Sequence, residues 1–79
     1  APAPLEAALR RAEAALTRHE AAERAALSTV TRLRALARAQ AVSEQNLENA
    51  EANLRQIQAD ITSARAAIET ARIDLGYTR

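Results

Sequence analysis

Cysteine, lysine, methionine, phenylalanine and tryptophan are absent from this 79-residue sequence, and glycine occurs only at Gly76. Each scarcity excludes something. Without cysteine there is no disulfide, thiolate metal site or cysteine nucleophile, although an oxidising compartment remains compatible. With Tyr77 as the sole aromatic residue, a bulky globular core and a base-stacking surface are both excluded. Proline is confined to Pro2 and Pro4, so no helix breaker lies between Leu5 and Leu75. No signal-peptide pattern and no apolar run of about 18 residues occurs, so this segment does not span a bilayer by itself. The formal net charge is only +1, which argues against a general phosphate-backbone binder and hence against a nucleic-acid partner. There is no nucleophile–base set and no glycine-rich phosphate loop. The chain therefore reads as a non-enzyme without a cofactor. His19 and Glu23, one turn apart, are the nearest approach to a metal site, but they lack a third ligand and read instead as a partly buried polar pair.

Alanine fills 22 positions, and leucine, isoleucine, arginine, glutamate and glutamine supply most of the rest. That mixture belongs to long helices and coiled coils. The spacing is sharper evidence. Leu47, Ala50, Leu54, Ile57, Ile61, Ala64, Ile68, Ala71 and Leu75 alternate steps of three and four, a sustained heptad a/d stripe. Leu5, Leu9, Ala12, Leu16, His19, Glu23, Ala26, Val30 and Leu33 keep the same rhythm in the first half. The breaks in pattern have matching chemistry. Pro4 suits a first helical turn, where a missing N–H costs little. Ser43 suits an N-cap, with Glu44 at the positive end of the following helix, and Gly76 suits the position after a helix. The expectation is an all-α fold, a two-helix antiparallel coiled-coil hairpin, with helix one at about 4–38, a tip at about 39–43 and helix two at about 44–75.

A short connection forces the two helices to run antiparallel. Folding the chain about residue 40 pairs seam positions whose numbers sum to about 80, and large side chains then face small ones: Val30 with Ala50, Ala26 with Leu54, Leu16 with Ala64, Ala12 with Ile68. Such alternation lets helices interdigitate. At the e positions the same fold brings together Glu6 and Arg72, Glu13 and Arg65, and Arg34 and Glu44, all opposite in sign and useful mainly for register. The expected seam comprises Leu9, Leu16, Ala26, Val30, Leu33, Leu47, Ala50, Leu54, Ile57, Ile61, Ala64 and Ile68. It is narrow and alanine-rich, so the hairpin is expected to lean on a further domain at its open end, on neighbouring hairpins, or on both. Rows of small residues, Ala7, Ala14 and Ala21 on helix one and Ala52, Ala59 and Ala66 on helix two, either raise helix propensity or admit a second copy alongside.

The run Thr31-Arg32-Leu33-Arg34-Ala35-Leu36-Ala37-Arg38-Ala39-Gln40-Ala41-Val42-Ser43 resembles the hairpin tip of periplasmic adaptor proteins, the membrane fusion proteins of tripartite efflux pumps. In that family the tip carries Arg, then Leu four residues on, then Ser seven further, and Arg32, Leu36 and Ser43 match in type and spacing. The tail from Ala64 to Arg79, with Asp74-Leu75-Gly76-Tyr77-Thr78, resembles the family's return into a lipoyl-like domain, and Pro4-Leu5-Glu6-Ala7-Ala8-Leu9 resembles its exit from that domain. The likeness covers essentially the whole chain and is strongest to the AcrA-like adaptors of RND pumps. The tip departs from the family in lacking glycine and in its alanine content.

What the resemblance implies is a piece of a larger periplasmic protein attached to the inner membrane. Its hairpin tip, through Arg32, Leu36 and Ser43, would meet an outer-membrane channel. The rest of the protein would meet an inner-membrane transporter, and six copies would form a ring. Residue chemistry allows both this and plainer roles. Arg32 can donate to a partner helix or pair with Glu48. Leu36 can anchor a partner or touch Asn46 at the core edge. Ser43 can cap helix two or reach outward. Two other readings stand beside it: a structural coiled-coil spacer or oligomerisation arm, including an adaptor of a type I secretion system, and an amphipathic lipid-surface binder. The last calls for wide apolar faces with aromatics, which this chain lacks.

Overall fold

A computed structural model describes residues 2–76 as two long α-helices, α1 at Pro2–Arg38 and α2 at Glu44–Asp74, with no strand among the described residues. They lie antiparallel in a rod of 58 × 16 × 16 Å. The length follows from the chain: 37 residues at 1.5 Å each give about 55 Å.

α1 begins at Pro2 rather than at residue 4. The first four N–H groups of a helix have no partner inside it, so both prolines fit in the first turn without losing a hydrogen bond. α2 ends at Asp74 rather than at 75. Leu75 caps it, its N–H donating to the Ala71 carbonyl at 3.1 Å. Gly76 then takes φ 78°, a left-handed value that glycine adopts without a Cβ clash. The family-like return at Tyr77, Thr78 and Arg79 lies outside the described residues.

The seam falls on the heptad stripes. Leu54, Ile61 and Ile68 are buried on α2 at seven-residue intervals, with Ala64 and Ala71 between and beyond them, and Ala26 and Val30 are buried on α1. Ala26, Val30 and Leu54 form one cluster, against which Ala50 and Ile57 pack. Val30, at 1% exposure, is the most enclosed side chain. Leu9, Leu16, Leu33 and Leu47 are half-buried. No polar or charged residue is buried among the described residues; His19 and Glu23 sit half-buried within the stripe of α1. No group of three or more metal-ligating side chains occurs among the described residues.

The ion pairs differ from expectation by one heptad. Arg34 bonds Glu51 rather than Glu44, and Arg72 approaches Glu13 rather than Glu6, leaving Arg65 without its expected partner Glu13. The pairs link the same e edges, but their numbers sum to 85 instead of 78. Side-chain direction explains the slide. Helical side chains lean toward their own N-terminus. In an antiparallel pair that lean moves α1 side chains away from the crossover and α2 side chains toward it. Long side chains therefore meet when their numbers sum to more than twice the crossover residue.

Candidate partner-binding site at the closed end

The closed end is built by two complementary helix caps. α1 stops in a Schellman arrangement: the Ala41 N–H donates to the Leu36 carbonyl at 2.8 Å and the Gln40 N–H to the Ala37 carbonyl at 3.0 Å. This turn requires a left-handed residue, and Gln40 supplies it at φ 57°. Glycine is the usual choice there; a non-glycine residue carries a strain of about 1 kcal/mol. Sequence reasoning noticed the missing glycine but did not locate this cap. Gln40 offers no side-chain signal for αL, and only the backbone reveals it.

α2 starts at Ser43, whose extended backbone (φ −74°, ψ 152°) turns its hydroxyl back over the first turn. The Ser43 Oγ accepts the Asn46 N–H at 3.1 Å. One of the four orphan donors of α2 is thereby satisfied, which is the capping role. The hydroxyl keeps its own O–H donor, so capping does not exhaust it. Arg38 in the last turn of α1 and Glu44 in the first turn of α2 each complement the helix end they occupy.

Around this crossover the chain presents several groups. Arg32 is exposed, lies on α1 a turn and a half before its end, and makes no ion pair with a described residue; the pairing with Glu48 is not formed. Leu36 is half-buried, one turn further along the same face, and its carbonyl is the acceptor of the Schellman bond. Ser43 is exposed at the start of α2. On the e edge, Arg34 Nε and Nη2 both donate to Glu51 Oε2, at 3.3 and 3.2 Å. The Arg34 side chain remains 54% exposed, so this pair ties the helices together only modestly. A shallow groove beside it is lined by Arg34, Ala37, Arg38, Glu44, Leu47, Glu48 and Glu51. Exposed guanidinium, part-buried leucine and a hydroxyl with a spare donor form a surface suited to carbonyls, carboxylates and apolar side chains of another helix. It has no enclosed cleft for a small substrate.

Comparison with known proteins agrees with the two-helix hairpin. Residues 7–78 match the family model described as "RND MFP, alpha-helical hairpin domain". The chain is also similar to the multidrug efflux pump subunit AcrA of Escherichia coli strain K12, and to the same subunit of Escherichia coli O157:H7. In each case the identity is 40% over 78 residues, 99% of this chain. The chain spans about a fifth of the length of these relatives, 20% in each case.

Proposed function

The chain belongs to the alpha-helical hairpin domain of the RND MFP family, a family of adaptors and not of enzymes, and from that premise we propose that it is the spacer arm of a periplasmic multidrug-efflux adaptor. In this reading the full-length protein is attached to the inner membrane and engages an inner-membrane transporter. The hairpin reaches across the periplasm and docks by its tip on the helical end of an outer-membrane channel, and several copies, six in the ring that the family resemblance implies, assemble around one path. Arg32 donates to the channel helices, Leu36 supplies an apolar anchor, and Ser43 both caps α2 and offers its remaining O–H.

The observation that carries the proposal is Arg32, exposed and without an ion pair to a described residue, one turn from half-buried Leu36, within a match to the adaptor hairpin that covers residues 7–78. Stiffness suits the role, since a rod of 58 Å transmits position without needing a large core. The test is single substitution of Arg32→Ala, Leu36→Ala and Ser43→Asp in the full-length adaptor. Asp retains a capping oxygen but, ionised, has no O–H to donate. The expected outcome is loss of channel co-purification and of drug resistance with helicity unchanged by circular dichroism. Intact assembly and resistance in all three variants would remove the basis for tip docking.

A further inference from the structure

A second surface lies away from both the seam and the tip. α1 carries seven arginines against four glutamates, and α2 three arginines against six acids, so the helices have net charges of +3 and −3. The glutamates of α1 all occupy seam or seam-edge positions: Glu6, Glu13, Glu20 and Glu23. Six of its arginines, Arg10, Arg11, Arg18, Arg24, Arg32 and Arg38, fall at heptad positions b and c, turned away from the seam, although Arg38 at the closed end also lines the groove with Glu44, Glu48 and Glu51 of α2. All six are exposed, and none forms an ion pair with a described residue. No carboxylate shares that outward face. Glu6, Glu13 and Glu20 stand one turn from Arg10 or Arg24 on the seam edge, yet no ion pair joins them, and at positions b, c and f of α1 the charge is of one sign, where solvated helix faces commonly mix the two.

We propose that the outward face of α1 docks an acidic helix of a partner protein, lying alongside it with carboxylates repeated about once per heptad. The spacing commits the occupant. From Arg11 onward the arginines follow at intervals of six to eight residues, which places one guanidinium about every 10 Å along the axis. A second helix lying parallel to α1 repeats its own side chains with that period. A nucleic-acid backbone, with a charge about every 1.7 Å, matches it poorly. Every one of these cations is arginine, whose planar fork takes a carboxylate with two hydrogen bonds. A second copy of this chain supplies the wrong complement. The b row of α2 reads Glu48, Arg55, Thr62, Glu69, two carboxylates three heptads apart with an arginine between them. Each exposed pair is weak alone, so the row acts collectively, and the association is sensitive to salt.

The proposal stands apart from tip docking, because Arg18 and Arg24 lie more than a heptad from the crossover. The test titrates the full-length adaptor with a labelled helical peptide bearing one glutamate per heptad, with its glutamine counterpart as control, by fluorescence anisotropy at low and high salt. The expected result is binding of the glutamate peptide about tenfold tighter than the control, lost at high salt and lost in Arg18→Gln/Arg24→Gln with helicity retained. Equal binding of both peptides overturns the proposal. So does inorganic polyphosphate binding as tightly as the glutamate peptide, which would make the face a general polyanion surface. Sedimentation showing that the double variant abolishes self-association, with peptide affinity unchanged, would assign the face to a second copy and equally overturn it.

Discussion

The closed and open halves of the hairpin use the same heptad rule but are secured differently. Near the crossover, Ala26 and Val30 of α1 are buried together with Leu54 of α2. The Arg34–Glu51 contact there is within hydrogen-bond distance, at 3.2 Å, and both helix ends are capped. Toward the open end, burial is confined to α2, at Ile61, Ala64, Ile68 and Ala71, while on α1 Leu9, Ala12 and Leu16 are half-buried and Leu5 is 37% exposed. The ion pair there, Arg72–Glu13, is at 3.9 Å. His19 and Glu23 stand in the seam between the two halves. The difference shows what a turn contributes: it holds the first levels in register at a small loop-closure cost, and each level further out depends more on its own packing.

Breaking the stronger half should have the largest effect. Leu54→Ala removes a buried side chain from the cluster with Ala26 and Val30 that joins both helices, and is expected to cost about 3 kcal/mol by urea unfolding, against under about 1 kcal/mol for Leu5→Ala. Equal losses at the two sites would erase the distinction between the halves. Replacing both seam polar residues, His19→Leu with Glu23→Leu, should stabilise the chain by about 1–2 kcal/mol through added apolar burial. Native-state hydrogen exchange should then show protection spreading from the closed half into residues 5–23. Ser43→Ala is expected to lose about 1 kcal/mol through the α2 cap, with exchange accelerated first at Asn46. The smallest effect has the opposite sign: Gln40→Gly should gain about 0.5–1 kcal/mol by relieving the left-handed residue, read as a raised melting temperature. No gain there would mean that the αL conformation is not adopted at Gln40.

Much of the fold was legible because a two-helix rod is governed by local rules. An unbroken heptad stripe, Pro4 in a first turn, and serine before glutamate at the crossover each act within a turn or two of chain. The antiparallel order followed from the shortness of the connection. The charged edges were harder. Glu13, Arg65 and Arg72 repeat with the heptad, so opposite charges meet whether the sum is 78 or 85, and charge alone cannot choose between them. The lean of the side chains decides it. The candidate site was legible only through resemblance, since an arginine, a leucine and a serine are ordinary helix-end residues. The caps that position them, Gln40 in the αL region and Ser43 over Asn46, involve backbone geometry.

From sequence alone came the element type, the length of each helix to within two residues, and the face each helix turns inward, because these depend on a period of 3.6 residues and on the scarcity of breakers. Only the tertiary structure decided which levels along the stripe are enclosed and which charges meet. Both depend on where the crossover sets the two helices relative to each other, and on how far each side chain reaches from its own backbone.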